Sequence, residues 1–166
     1  MTTDKGPRTD AAFLAAGFRF ALIVSGYNGD ISERLLEGAM KALHSRDVKE
    51  EDVEIFRVPG SFELPQAARK VAETRHFDAV LCIGAVIRGE TLHFELISQE
   101  CARGIQQAAA HTGVPMSFGV ITANTREQAM ERSADDHGNK GWEAAMAAIE
   151  MVNLFKNIDH LKHKVL

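Results

Sequence analysis

The chain has 166 residues, 45% of them hydrophobic, and a formal net charge of -4. This size and composition are typical of one globular domain with a sizeable core. Acidic and basic residues are interspersed, which disfavours nucleic acid as a partner. Cys82 and Cys101 are far apart and lie in apolar or helical runs, as expected of buried thiols in a reducing compartment.

The N-terminal region does not resemble a targeting or membrane segment. Residues 1–10 are polar, and the apolar stretch that follows is interrupted by Gly17 and Arg19. We therefore expect a cytoplasmic protein without a signal peptide or a membrane span. Residues 1–17 are predicted to be a flexible segment that docks on a neighbouring subunit, 18–158 a single domain, and 159–166 a C-terminal tail.

Four runs rich in β-branched or aromatic residues alternate with helical patterns. These predicted strands cover 19–25, 52–58, 78–87 and 115–121. Such alternation is typical of a parallel sheet with helices on both faces. Because right-handed crossovers leave few topologies, we predict a three-layer, flavodoxin-like α/β fold with a four-stranded parallel sheet.

Five helices are predicted between and after these strands. They cover about 30–46, 61–74, 94–112, 126–134 and 141–157. Asp30 is the predicted N-cap of the first, with Glu33 three residues later. The second is predicted to begin near Ser61, because Pro65 is tolerated only in a first turn. Gly113 is the predicted left-handed C-cap of the third.

Parallel α/β proteins bind ligands beyond the carboxyl ends of their strands. The side chains and backbone amides predicted at those ends suit a flat polar heterocycle with a hydroxylated tail. The candidates are Tyr27, Asn28, Ser61, Phe62, Glu63, Ala85, Val86, Ile87 and His93, with Phe118 just inside the last strand.

Each candidate also has a plainer interpretation. Tyr27 could pack on the first helix, and the turn at Pro59 and Gly60 could be only a strand-to-helix corner. A histidine in the first turn of a helix, such as His93, is more often a capping or surface residue than a catalyst. Histidine is nevertheless the side chain most often used for proton transfer near neutral pH.

The turn Gly89-Glu90-Thr91 resembles an anion-binding turn, since it offers backbone donors at the start of a helix. The carboxylate of Glu90 disfavours an anion unless only its backbone is used. Arg132 and Lys140 are the cations most readily placed on a phosphate, although both could be ordinary surface charges.

The sequence lacks the motifs of a metal site, of a serine hydrolase and of a nucleotide-binding loop. Asp135, Asp136 and His137, and separately His160 and His163, have no further ligand for a metal ion. The chain carries no GxSxG elbow, Walker loop or GxGxxG turn. These acidic and histidine residues are therefore interpreted as solvated surface and not as a metal site.

Four motifs in order resemble the lumazine synthase (6,7-dimethyl-8-ribityllumazine synthase) family. They are VPGSFELP (58–65), GAVIRGETLHF (84–94), PMSFGVIT (115–122) and GNKGWEAA (138–145). The resemblance implies condensation of 5-amino-6-(D-ribitylamino)uracil with 3,4-dihydroxy-2-butanone 4-phosphate. Phosphate and water leave, and 6,7-dimethyl-8-ribityllumazine forms for riboflavin biosynthesis without metal or cofactor.

The resemblance also implies a role for each candidate residue. Tyr27 would stack on the pyrimidine, next to Asn28. The ribityl chain would be held by Ser61, Phe62 and Glu63. The uracil edge would meet Ala85, Val86 and Ile87. Phe118 would complete the pocket from an adjacent subunit. Glu90 and Thr91 would bind the phosphate through backbone amides, with Arg132 of the neighbour and Lys140 in support. His93 would move protons.

Finally, the resemblance implies a homopentamer with sites between subunits, and in some members a shell of twelve pentamers. Riboflavin synthase is a further partner that it suggests. The chain departs from the family pattern at Tyr27, where phenylalanine or tryptophan is usual, and at Asp135-Asp136. The alternative is a flavin- or lumazine-binding or shell-forming protein of the same fold without turnover.

Overall fold

The structure is a computed structural model, and it describes residues 13–162. Residues 1–12 of the predicted flexible segment and residues 163–166 of the predicted tail lie outside the described residues. The elements are β1 (Phe20–Ser25), α1 (Gly29–His44), β2 (Val53–Val58), α2 (Leu64–Glu73), β3 (Ala79–Ile87), α3 (His93–Thr112), β4 (Met116–Ala123), α4 (Arg126–Arg132) and α5 (Lys140–Lys162).

The four strands form one parallel sheet in the order β2-β1-β3-β4. Alternate side chains of a strand point to opposite faces, and both faces of this sheet are apolar. Phe20, Leu22 and Val24 of β1 pack in the core beneath α1 and α5, while Ala21 and Ile23 pack in the core beneath α2 and α3. The predicted three-layer α/β arrangement is confirmed.

The start of α1 differs from its prediction. The prediction that Asp30 is the N-cap is wrong, because the helix begins at Gly29 and Asn28 is its N-cap. Asn28 has a left-handed backbone (φ 54°), and its side chain makes no capping bond. Its Nδ2 instead donates to the carbonyl of Ala85 at 2.9 Å, across the sheet end. Asp30 forms an ion pair with Arg126.

Two further helix boundaries are shifted, and one predicted cap is confirmed. Residues Ser61–Glu63 form a short 3-10 turn, so α2 begins only at Leu64, with Pro65 in its first turn. Gly113 has φ 72° and ends α3 as predicted. The last helix continues past 157 to Lys162, so 159–162 extend α5.

Asn139 joins α1 to the start of α5. The residue is 2% exposed. Its Nδ2 donates to the carbonyls of Arg34 at 3.2 Å, Ser133 at 3.2 Å and Ala134 at 3.0 Å. Its Oδ1 accepts from the amides of Gly141 at 2.8 Å and Trp142 at 3.2 Å. This bonding fixes where α5 begins.

The helices meet closely at this junction. A Cβ added at Gly141 would lie 1.8 Å from the carbonyl oxygen of Leu35, a distance at which the backbone must move. Only glycine therefore lets α5 approach α1 here. Within the described part of the chain, no helix is long and apolar enough to cross a membrane.

Candidate active site

A cavity of about 670 Å³ lies at the carboxyl ends of β1, β2 and β3. Most of the sequence-predicted site residues line it. These are Tyr27, Asn28, Ser61, Phe62, Glu63, Ala85, Val86, Ile87, Thr91 and His93. The three segments that carry them are distant in sequence, and the parallel sheet brings them together at one edge.

Two aromatic rings border this cavity without being buried. Tyr27 is 75% exposed and Phe62 is 60% exposed. The alternative in which Tyr27 packs on α1 is therefore not supported. Both rings leave a large apolar surface uncovered, as a site for a planar ligand requires.

Ser61 carries a buried hydroxyl at this cavity. The residue is 5% exposed, and its Oγ has no hydrogen-bond partner within residues 13–162. A Cβ added at Gly84 would lie 2.7 Å from this Oγ, so glycine makes room for it. The Oγ atom itself is closed off from solvent, so it lies behind the cavity wall and not on the surface that a ligand contacts.

Asn28 connects two walls of the cavity. Its bond to the carbonyl of Ala85 fixes the backbone at the end of β3, next to Val86 and Ile87. Its Oδ1 accepts no hydrogen bond from any described residue, so it can accept one from a ligand. The left-handed backbone at Asn28 is one that asparagine tolerates better than most residues.

The predicted anion-binding turn and His93 follow β3 directly. Gly89, Thr91 and His93 line the cavity, whereas Glu90 is exposed and does not. The backbone amide of His93 donates to Thr91 Oγ1 at 3.4 Å. His93 is the first residue of α3, and its exposed imidazole has no hydrogen-bond partner among the residues described.

Arg88 borders the same turn but does not line the cavity. Its Nε donates to Asn124 Oδ1 at 2.8 Å, and its Nη1 donates to the carboxylate of Glu95. The centre of its guanidinium lies 4.7 Å from the ring centroid of Phe94. The Glu95 backbone amide and then Arg88 hold the pKa of the Glu95 carboxyl below its usual value.

Phe118, Arg132 and Lys140 lie elsewhere. Phe118 and Lys140 line a cavity of about 470 Å³ between β4 and α5. Arg132 and Lys140 line another of about 400 Å³ along the carboxyl half of β4. β4 is an edge strand of the sheet, so all three residues border its unpaired side. The structure does not bring them into the main cavity of the same chain.

The two cations at this edge differ in their partners. Lys140 Nζ donates to Glu143 Oε2 at 2.6 Å. The guanidinium of Arg132 has no hydrogen-bond or ion-pair partner in the described part of the chain. An unpaired guanidinium is free to bind an anionic group in the planar, two-pronged manner typical of arginine.

The acidic pair that departs from the family pattern is bonded locally. Asp135 Oδ1 lies 2.6 Å from Lys41 Nζ, and this hydrogen bond lowers the pKa of the Asp135 carboxyl. Asp136 Oδ1 accepts from the amide of Gly138 at 2.7 Å. Neither carboxylate is paired with Arg132.

The cavity also contains residues that the sequence reasoning did not identify. Phe94 and Ile97 of α3 line it. They lie three residues apart, a spacing that puts them on one face of a helix, and this periodicity could have revealed them. The link from Arg88 to Asn124 joins two strand ends across 36 residues, and no local pattern indicates it.

A family model and three relatives point to one family. A family model described as 6,7-dimethyl-8-ribityllumazine synthase matches residues 17–156. A protein of that name from Syntrophus aciditrophicus (strain SB) is 50% identical over 150 residues, which is 90% of this chain and 97% of the relative. One from Chlorobium luteolum is 46% identical over 149 residues, covering 90% and 96%.

A third relative of the same name, from Chloroherpeton thalassium, is 49% identical over 140 residues, covering 84% of this chain and 90% of its own. Among solved structures, a GDP-L-fucose synthetase from Naegleria fowleri matches with a TM-score of 0.37 at 11% identity, over 96% of this chain and 48% of that chain. That likeness is too low to support an argument. The family model and the relatives show that this chain belongs to the 6,7-dimethyl-8-ribityllumazine synthase family.

Proposed function

We propose that the main cavity condenses 5-amino-6-(D-ribitylamino)uracil with 3,4-dihydroxy-2-butanone 4-phosphate to give 6,7-dimethyl-8-ribityllumazine. One observation carries the proposal. Exposed aromatic rings, the backbone of residues 60–63, a glycine turn and a histidine meet in one cavity of about 670 Å³. A planar ring, a polyol chain and a phosphate require these features.

The pyrimidine substrate is assigned to the part of the cavity between Tyr27 and the end of β3. Tyr27 stacks on its ring, and the backbone of Ala85, Val86 and Ile87 bonds the uracil edge. Asn28 contributes by fixing the Ala85 carbonyl at 2.9 Å and by accepting through its free Oδ1. The backbone of Ser61, with Phe62 and Glu63, holds the ribityl chain.

The phosphate of the second substrate is assigned to the turn 89–91. The backbone amides of Glu90 and Thr91 bind it at the start of α3, where the helix dipole favours an anion. The Glu90 side chain is exposed and lies outside the cavity lining, so its carboxylate does not repel a phosphate bound in the cavity.

His93 is the proposed catalytic residue. The amine of the pyrimidine attacks the ketone carbon, and loss of water forms an imine. The adjacent CHOH carbon then loses a proton, and phosphate leaves from the terminal CH2 carbon, two carbons from the imine carbon, which gives an enol that becomes a ketone. The ribitylamino nitrogen attacks that ketone carbon, and loss of a second water closes the ring. His93 takes and returns the protons of these steps. Holding two reactants together contributes up to roughly 7–11 kcal/mol in favourable cases.

We also propose that each site is shared between two copies of the chain in a homo-oligomer. Phe118, Arg132 and Lys140 line no part of the main cavity of their own chain, and they border the unpaired side of β4. A neighbour placed against that side would receive Phe118 over its pyrimidine, and Arg132 with Lys140 at its phosphate. A pentamer, a shell of twelve pentamers, a cytoplasmic location and riboflavin synthase as a partner stay predictions.

The test is to mix the purified protein with both substrates and to follow lumazine absorbance together with phosphate release. Protein-dependent formation of both products is expected. The variant His93→Ala should slow turnover about 10²-fold, at the low end for general acid-base catalysis, while still binding the pyrimidine. Binding without turnover in the wild type would identify the non-catalytic alternative, and an unchanged rate in the variant would remove His93 from the mechanism.

A further inference from the structure

Arg88 joins three elements around the turn that precedes His93. It is the first residue after β3, and its backbone amide donates to the carbonyl of Ala123 at 2.9 Å. Its side chain reaches Asn124 beyond β4 and both Phe94 and Glu95 in the first turn of α3. The guanidinium therefore connects both ends of the loop 89–92 to the end of the neighbouring strand.

We propose that Arg88 is a positioning residue for the phosphate-bearing substrate, holding the 89–92 turn and the start of α3 in the geometry that the reaction needs. This inference rests on the function proposed above. Arg88 does not line the cavity, so it acts through the turn and not by touching the substrate.

The loop itself has few other constraints. Two bonds tie it to the first turn of α3: the amide of His93 donates to Thr91 Oγ1 at 3.4 Å, and the amide of Leu96 donates to the carbonyl of Leu92 at 3.3 Å. Both are long for hydrogen bonds of this type. The turn's direction therefore depends on the contacts of Arg88 with the elements on either side.

An arginine suits this role better than a lysine. The planar guanidinium donates to Asn124 and Glu95 in different directions while its face lies on the ring of Phe94. A lysine ammonium keeps the positive charge opposite Glu95. It cannot bond both Asn124 and Glu95 while also stacking on the Phe94 ring. Arg88→Lys should therefore restore only part of what Arg88→Gln loses.

The expected effect is selective. The loop carries the proposed phosphate amides and precedes His93, whereas the pyrimidine residues lie mainly on other segments. A misplacement of about 1 Å can cost 10²-fold in rate. We expect Arg88→Gln to lower kcat/KM for the butanone phosphate about 10- to 100-fold, while the dissociation constant of the ribitylaminouracil changes less than about twofold. Arg88→Lys should fall between this variant and the wild type.

The control is Arg69→Gln. Arg69 is also an exposed arginine that bonds a carboxylate, Glu73 at 2.9 Å, and a second side chain, His111 at 3.0 Å, but it lies on α2. Its variant should match the wild type in both kinetic constants. If Arg88 only stabilises the fold, Arg88→Gln should affect the two substrates equally, and that result would overturn the proposal.

Binding of inorganic phosphate, measured by titration calorimetry, separates this inference from the proposed function. A wild type that forms no lumazine refutes the function. In that case weaker phosphate binding by Arg88→Gln than by Arg69→Gln would still support the positioning of the turn. Equal phosphate binding by the two variants, or none by the wild type, would overturn the role of Arg88.

Discussion

Replacing Asn139 with alanine should destabilise the protein more than any other single truncation of a polar side chain on α5 or the loop before it. The side chain forms five hydrogen bonds to α1, to the segment after α4 and to the first turn of α5. Asn139→Ala removes all of them and leaves a small cavity. The helix keeps its sequence but loses its N-terminal cap.

The size of this destabilisation depends on whether each backbone group that loses its bond to Asn139 keeps another hydrogen bond. The carbonyl of Ser133 keeps a bond from Arg34 Nε at 3.2 Å, so it is not orphaned. The buried amide of Gly141 and the half-buried amide of Trp142 have no replacement, and loss of a cap costs about 0.5–2 kcal/mol. A buried group left unpaired adds about 1–3 kcal/mol. We expect a loss of about 3 kcal/mol in the free energy of unfolding.

Equilibrium urea unfolding at one fixed protein concentration measures this loss, because an oligomer's stability depends on concentration. Fluorescence of Trp142, the single tryptophan, and far-UV circular dichroism report the transition. Asn157→Ala, an exposed change on the same helix, should lie within about 0.5 kcal/mol of the wild type. A loss below about 1 kcal/mol for Asn139→Ala would refute the assignment of the bonded network.

Two further outcomes concern titrating groups. Burial raises the pKa of the Cys101 thiol to about 11 and raises the pKa of the fully buried Cys82 thiol further. At pH 8 a thiol reagent should therefore modify neither cysteine in the folded protein, and it should modify both in urea. Fast labelling of the folded protein would contradict their burial. Lys41 lowers the pKa of the Asp135 carboxyl below its usual value of 3.8. This pair therefore stabilises the folded protein at pH values above 3.8, and the stabilisation is lost as the pH falls through the lowered pKa. Lys41→Met should therefore be slightly less stable than the wild type at pH 7 and equal to it in strong acid, as urea midpoints at the two pH values would show.

The parts of the fold that follow from local patterns were predictable, and the parts set by distant contacts were not. All four strands and Gly113 were placed from β-branched runs and a glycine before a proline, signals that lie within a few residues. Asp30 fits the rule for a cap, yet Asn28 takes that position because its amide bonds Ala85, 57 residues away.

The same distinction applies to the site. The residues of the main cavity follow the strand ends, where parallel sheets place ligands, so sequence order was enough to group them. Arg132 is the last residue of a short helix, and nothing near it in the sequence indicates which cavity it faces. Its separation from His93 depends on β4 being an edge strand, which is a property of the whole sheet.

That separation supplies a direct test of shared sites. His93 lies in the main cavity, whereas Arg132 borders the outer side of β4, and the two cavities have no lining residue in common. If the two residues act together only across a subunit boundary, an assembly that mixes His93→Ala chains with Arg132→Ala chains contains some native sites. Co-expression of the two chains with different tags would produce such assemblies.

The two chains are mixed at random in equal parts. A complete site then needs its cavity, with His93, from an Arg132→Ala chain and its guanidinium from a His93→Ala chain. Each condition is met half of the time, so about a quarter of the boundaries are native in a cyclic oligomer. Lumazine formation should then rise to about a quarter of the wild-type rate, far above the mean of the two variants measured alone. Pairing His93→Ala with the double variant is the control, since it can build no complete site. A mixture that shows only the mean rate would mean that Arg132 and His93 do not meet across a boundary, because chains that act alone gain nothing from different neighbours.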